Sequence, residues 1–175
     1  MENGLSYRNE DDRCYGVTGM AVGIMVFNGE DMLSAVCLDS APDSMLEMED
    51  MFYFNGNPGL SAKAAWSRIK ANFDLSVAML ISNMMCRSMV LDHEAVAPEK
   101  RKTVHDIVAE EGRETCGLDD DEINRIFDKE YTILFRVFNH QGVHSVVHDF
   151  ADTLKRRRRM SRLEILEQLR ALSLL

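Results

Sequence analysis

Proline and paired cysteines are scarce in this sequence, and each scarcity has a consequence. Its three prolines, Pro42, Pro58 and Pro98, stand where helices can begin, and none interrupts a long apolar pattern. A proline inside a helix costs about 3 kcal/mol, so this distribution favours a helical fold. The four cysteines are widely spaced and form no C-x-x-C pair, which excludes the common zinc and redox motifs. Free thiols are typical of a reducing compartment, so we expect a cytoplasmic protein.

The sequence also lacks the signals of several functional classes. The apolar stretch 15–27 follows an acidic segment, whereas a secretory signal peptide needs a basic one. The apolar stretch 75–86 is too short to span a bilayer, so no membrane association is expected. Neither a glycine-rich phosphate loop nor a G-x-S-x-G or H-E-x-x-H motif occurs, and these are the usual sequence signs of nucleotide binding and hydrolysis.

The composition that remains is that of a single globular domain. Of its 175 residues, 46% are hydrophobic, so the chain can bury a core without a disulfide or a metal. Its twelve methionines suit irregular core packing as well as adaptable binding surfaces. We expect residues 1–13 to form a disordered tail and residues 14–175 to form one helical domain.

Hydrophobic periodicity predicts an all-α bundle of six or seven helices around a long central helix over 62–91. Apolar residues recur there every three to four positions, and extra apolar residues widen the stripe, as in a helix at the middle of a bundle. The stretch 17–27 is interpreted as a helix, with a short β-hairpin within 17–38 as the alternative because Asn28-Gly29 suits a hairpin turn. Further helices are predicted over 31–38, over 44–54, over 98–111 with Gly112 or Gly117 as the stop, from 119 to Gly142, over 143–155 and from 161. An S-x-x-E capping box opens the two helices that begin at Ser44 and Ser161.

Histidine spacing indicates a candidate metal site in the C-terminal half. His140, His144 and His148 stand four residues apart, a spacing that stacks imidazoles on one face of a helix, as in two-histidine metal sites. Because Gly142 interrupts the helix, His144 and His148 are the pair expected one turn apart, with Asp149 as a carboxylate ligand of a divalent metal ion. The alternative is that these are surface or capping histidines and that the protein has no cofactor.

Two His-Asp dipeptides, at 105–106 and 148–149, resemble the dipeptide of HD-type metal-dependent phosphohydrolases, whose adjacent side chains hold metal ions that activate water. That family also needs a histidine well upstream and an aspartate well downstream. Here His93 and Asp152 stand too close to the dipeptides to fill those places. A metal-dependent hydrolase that uses His and Asp residues between 93 and 152 is therefore the second functional hypothesis.

A basic run over 155–159 precedes the last predicted helix. Residues 155–175 carry seven Lys or Arg and two Glu, whereas residues 1–87 carry twelve acidic and six basic residues. The net charge of −9 and the lack of interleaved aromatics argue against nucleic-acid binding, so we expect the run to pair with the acidic body of this chain or of a second copy. The first functional hypothesis is a helical protein–protein interaction or self-association domain without catalytic activity, whose partner is another protein or a homo-oligomer such as a homodimer.

Overall fold

A computed structural model of the protein describes residues 6–53 and 61–175. Within these ranges, six α-helices and one small three-stranded antiparallel sheet share a hydrophobic core, which confirms the predicted, mainly helical single domain. The elements are α1 (Glu10–Val26), β1 (Leu33–Cys37), β2 (Leu46–Met48), α2 (Ala62–Met85), α3 (Pro98–Cys116), α4 (Asp120–Phe138), α5 (Gln141–Arg157), β3 (Arg159–Ser161) and α6 (Arg162–Leu169). Short 3₁₀ turns lie at Glu30–Met32, Asp50–Tyr53 and Arg170–Leu174.

The long helix predicted over 62–91 is confirmed. Ser61 caps α2 by accepting a hydrogen bond from the amide of Ala64, and a π-helical segment, Cys86–Leu91, continues it. The helix α1 packs along α2 and is buried on almost every side of its middle turns. The core therefore has two central helices rather than one.

Two glycines allow α1 and α2 to approach closely. A Cβ atom at Gly19 would collide with the backbone carbonyl of Ser82 and with the side chain of Cys86, and one at Gly23 would collide with the hydroxyl of Ser82. Glycine weakens an isolated helix, but it also permits close backbone contact. The helical interpretation of residues 17–27 is thus confirmed.

The helix formed by α2 and its π-helical continuation is, by length and composition alone, long and apolar enough to cross a membrane. However, 67% of its most apolar window is buried inside the fold, where α2 contacts α1, α3 and α4. A helix buried on most of its faces is what the centre of a helical bundle requires.

The helices predicted over 31–38 and 44–54 are wrong. Strand β1 instead pairs antiparallel with β2 on one side and with β3 on the other, so the short hairpin lies over 33–48. Residues 54–60, which include the end of the second predicted helix, lie outside the described residues.

Long-range pairing explains why the capping-box pattern in this region is misleading. The carboxylate of Glu47 accepts two hydrogen bonds from the guanidinium of Arg159 on β3, at 2.5 and 2.7 Å. The hydroxyl of Ser44 donates to the carbonyl of Ala41. Neither side chain is therefore available to cap a helix, and a local sequence pattern does not contain the contact with Arg159.

The predicted disordered tail over 1–13 is too long at its C-terminal end. Helix α1 begins at Glu10, and the side chain of Asn9 accepts a hydrogen bond from the amide of Asp12. Asp12 is fully buried and accepts hydrogen bonds from the guanidinium groups of Arg8 and Arg87. Burial alone would raise the pKa of Asp12, but the hydrogen bonds from Arg87 and Arg8 outweigh it, and that pKa is lowered. Residues 1–5 lie outside the described part of the chain.

Helices in the C-terminal half begin where their caps predict. Pro98 opens α3, and Asp119 and Ser161 open α4 and α6 with capping boxes. Helix α3 ends at the left-handed Gly117, the later of the two glycines predicted to end it, whereas α4 ends at Phe138, a few residues before the predicted Gly142. Helices α1, α4 and α6 contact α5 and hold it in position.

Candidate functional site

A cavity of about 380 Å³ lies where the π-helical segment after α2 meets α5. Three of the side chains around it are histidines, which no single stretch of the sequence brings together. Its lining residues are Met89, His93, Gln141, His144, Ser145 and His148. A concave site with several convergent titratable groups is typical of a ligand-binding or catalytic site.

Helix α5 presents two of these histidines. Val143 and Val147 are buried on the core side of the helix, and His144 and His148, one turn apart, both face the cavity. This confirms the predicted shared face for the pair. His140 instead caps α5, because its Nδ1 accepts a hydrogen bond from the amide of Gly142.

Each of the two α5 histidines has one ring nitrogen held by another part of the fold. The Nε2 atom of His144 lies 2.6 Å from the carbonyl oxygen of Phe138. Because a carbonyl only accepts, Nε2 must carry the proton, and in the neutral ring Nδ1 keeps its lone pair. The Nδ1 atom of His148 lies 2.6 Å from the hydroxyl of Tyr15 on α1. In each ring, one nitrogen is therefore engaged by a group of the fold, Nε2 in His144 and Nδ1 in His148.

The surroundings of His148 favour its neutral form. Burial lowers the pKa of His148, and the nearby His144 and His93 lower it further, against the opposing effect of Asp152 and Asp149. At pH 7 the imidazole is therefore predominantly uncharged. A neutral imidazole can act as a base or as a ligand of a metal ion.

His93 is the histidine of the cavity that the sequence did not group with His144 and His148. It lies just after the π-helical segment and has a φ of +55°, in the left-handed region that residues other than glycine seldom adopt. The amide of Asp92 donates to the carbonyl of Arg87, and that of Glu94 donates to Ser88. Its ring centroid is 6.4 Å from that of His148. Because 55 residues separate the two in the sequence, no local pattern links them.

The predicted ligand Asp149 is exposed on α5 and does not line the cavity. Its position next to His148 in the sequence places it on another face of the helix, about 100° away. In the described part of the chain, no group of three or more His, Cys, Asp or Glu side chains already stands close enough together to hold a metal ion. The set His144, His148 and Asp149 is therefore not assembled.

The other His-Asp dipeptide belongs to a different part of the surface. His105 lies on α3, where its Nε2 is 2.6 Å from the side-chain oxygen of Asn124 on α4. It lines a separate, smaller cavity together with Arg101 and Phe127. The structure therefore places the two dipeptides at separate cavities.

The basic run and the residues beside it pair with carboxylates of the same chain. This confirms the expected pairing in its intramolecular form, and it leaves little uncompensated positive charge along the run. The pairs are Lys155 with Asp11, Arg157 with Glu164, Arg158 with Glu10 and Asp39, Arg159 with Glu47, and Arg162 with Asp31.

Beyond these ion pairs, the C-terminal segment is only half covered by the fold. Ile165 and Leu169 are fully buried, whereas Leu163, Leu174 and Leu175 are 78%, 85% and 57% exposed. These three exposed residues are called the C-terminal leucine surface below. The segment therefore docks on the body of its own chain and still presents apolar side chains to solvent.

Comparison of the chain with family models, with curated proteins and with solved structures gives no significant match. A functional assignment for this chain therefore depends on its own residues. Two features carry such an assignment, the C-terminal leucine surface and the histidine cavity.

Proposed function

We propose that this protein is a helical interaction domain that self-associates through the C-terminal leucine surface. The observation that carries this proposal is the exposure of Leu163, Leu174 and Leu175 in a segment whose other apolar residues hold it to the body. Among the described residues, four of the five side chains of the preceding basic run pair with carboxylates of the same chain, and only Arg156 does not. Most of the positive charge is therefore compensated, and the exposed apolar side chains are what this segment offers to a partner.

A second copy of the chain is the partner that this chemistry suits. An apolar surface is complementary to itself, and a two-fold axis brings the same patch of both copies together. Fully burying a leucine contributes about 1.5–3 kcal/mol, and association costs about 4–15 kcal/mol. Six leucines, three from each copy, can therefore offset the cost of association, so the dimer that we expect is a weak one.

Sedimentation equilibrium over a range of protein concentrations tests the proposal. We expect a reversible monomer–dimer equilibrium, and we expect the combined substitutions Leu163→Ser and Leu174→Ser to raise its dissociation constant at least tenfold. Both side chains are exposed in the monomer, so the melting temperature measured at low protein concentration should hardly change.

The control variant is Phe135→Ser, which removes an apolar side chain that is 43% exposed on α4. It should leave the dissociation constant unchanged. A chain that remains monomeric at every concentration, or a dimer that Phe135→Ser weakens as strongly as the leucine substitutions do, contradicts the proposal.

A reducing compartment such as the cytoplasm is part of this proposal. All four cysteines lie in the described ranges and are free thiols, with Cys14, Cys86 and Cys116 buried. Burial raises the pKa of Cys14 to about 12, so this thiol is kept in its unreactive protonated form.

A further inference from the structure

We propose that His93, His144 and His148 form a binding site for one divalent transition-metal ion of the zinc class, which closes when the ion enters. The site is independent of the C-terminal leucine surface and uses different residues. It retains the predicted pair His144 and His148 and replaces the predicted third ligand, Asp149, with His93.

The hydrogen bond of His144 matches that of a metal ligand, and the contact of His148 with Tyr15 is compatible with the same role when Nδ1–H donates to the hydroxyl oxygen. A metal-bound histidine characteristically donates its other ring N–H to a carbonyl, a carboxylate or a water molecule. In His144 the Nε2–H donates to Phe138, which leaves Nδ1 for the ion. In His148 the Nδ1 atom is held by Tyr15, which leaves Nε2. In the described part of the chain, neither of the remaining nitrogens has a hydrogen-bond partner among the protein groups.

The backbone around His93 is held in place by several contacts, although the conformation is unfavourable. Arg8 donates two hydrogen bonds to the carboxylate of Asp92, at 2.9 and 3.0 Å, and Arg8 is itself tied to the buried Asp12. The amides on either side of His93 bond back to the π-helical segment. Both π-helical turns and left-handed non-glycine residues cluster at functional sites. These contacts hold the backbone that carries His93 at the mouth of the cavity.

The chemistry of the lining selects the class of ion. Imidazole nitrogens suit zinc, nickel and copper, whereas magnesium and calcium need oxygen ligands. Gln141 and Ser145 supply the other polar groups of the lining. The net charge of −9 attracts cations rather than anions.

Closure of the site is required by its dimensions. Zinc–nitrogen bonds are about 2.0–2.1 Å long, and the rings of His93 and His148 stand 6.4 Å apart between centroids. His93 is exposed and lies outside any helix, so its side chain is the one expected to turn towards α5. The ion would thus link the segment after α2 to α5.

Zinc titration of the metal-free full-length protein, in competition with a chromophoric chelator, tests this site. We expect one ion per chain, a rise in melting temperature with zinc, and an affinity that falls by roughly tenfold or more in each of His144→Ala, His148→Ala and His93→Asn. Asparagine tolerates left-handed backbone, so His93→Asn removes the imidazole without disturbing the turn, and circular dichroism verifies that each variant is folded.

Two variants serve as controls. Asp149→Asn removes the carboxylate that lies outside the cavity, and His105→Ala removes a histidine from α3. Both should bind zinc as the unmodified chain does. The proposal is overturned if the chain binds no zinc, or if a variant that combines His93→Asn, His144→Ala and His148→Ala binds zinc as tightly as the unmodified chain. It is also overturned if Asp149→Asn weakens zinc binding while His93→Asn does not.

Discussion

Glu130 on α4 is the most unfavourably placed carboxyl group among the residues that the structure describes. It is 4% exposed, and its Oε2 atom has no hydrogen-bond partner. Burial and the nearby Asp74 raise the pKa of Glu130 to about 9, against the opposing effect of Lys129 and Lys70. The group is therefore protonated in the folded protein at neutral pH and ionised in the unfolded chain.

This pKa difference gives a prediction with a definite sign. The folded state binds the proton more tightly than the unfolded state, so the stabilising effect is full below the ordinary pKa of about 4.5 and is lost as pH rises towards 9. Glu130→Gln stays neutral, so we expect its stability to match the unmodified chain near pH 4.5 and to exceed it by several kcal/mol, at most about 6 kcal/mol, at pH 9.

Urea unfolding at several pH values measures this difference. Glu110→Gln, at an exposed position of α3, is the control and should show no such pH dependence. If the stability difference between Glu130→Gln and the unmodified chain is the same at pH 4.5 and pH 9, the carboxyl group of Glu130 is not protonated in the folded state.

At the scale of single residues, the sequence predicts local geometry well and long-range geometry poorly. The spacing of His144 and His148 is a helical turn wherever the helix lies, so their shared face could be predicted. The partners of these rings, Tyr15 and the carbonyl of Phe138, depend on how α1 and α4 pack against α5. His93 reaches the cavity only because the π-helical segment ends there.

At the scale of elements, helix propensity and steric packing predict opposite changes in stability when a glycine of α1 is replaced by alanine. Helix propensity alone predicts that Gly19→Ala stabilises the protein by up to about 1 kcal/mol. In the structure the added methyl group meets the backbone of Ser82, which cannot turn aside as a side chain can. We expect Gly19→Ala to destabilise the fold by about 1–3 kcal/mol, measured as a lower midpoint of chemical unfolding.

Gly142→Ala is the matched control for this substitution. A Cβ atom there meets mainly the flexible end of Leu175 and the ring of His140, so the change should be neutral or slightly stabilising. Equal effects of the two substitutions would show that close contact between α1 and α2 is not what requires glycine at position 19.

Elements differ in how far the sequence could predict them. Ser61, Asp119 and Ser161 each cap a helix through a contact with a residue three positions away. Both partners of each contact therefore lie within one short sequence pattern, and the start of the helix can be predicted from it. A short hairpin near the N-terminus was only the alternative prediction, and its position and third strand could not be predicted, because the strands are only three to five residues long. In addition, β1 pairs with a strand more than 120 residues away, through Val36 and Met160.

At the scale of the whole molecule, the charge asymmetry of the sequence becomes an internal contact. The positive C-terminal run lies against the acidic N-terminal body, with Arg158 between Glu10 and Asp39 and with Lys155 beside Asp11. Exposed ion pairs of this kind contribute little to stability and are screened by salt. They orient the end of the chain, while its buried apolar residues supply the larger share of the stability.

Deletion of residues 160–175 separates the structural and associative roles of this end. The deletion removes the fully buried Met160, Ile165 and Leu169 together with most of the strand that pairs with β1. Each such side chain contributes about 1.5–3 kcal/mol on burial, partly offset by the entropy of ordering the segment. We therefore expect a loss of about 3–6 kcal/mol, which corresponds to a melting temperature roughly 10–20 °C lower.

A shorter deletion, of residues 173–175, completes the comparison. It removes the exposed Leu174 and Leu175 and leaves the buried anchors Ile165 and Leu169 in place. Thermal melting at low protein concentration should therefore be nearly unchanged, whereas sedimentation equilibrium should show a weaker dimer. If deletion of 160–175 leaves the melting temperature unchanged, the segment does not stabilise the body of the chain. If deletion of 173–175 lowers the melting temperature as much as the longer deletion does, the last residues anchor the fold and are not free to bind a second copy.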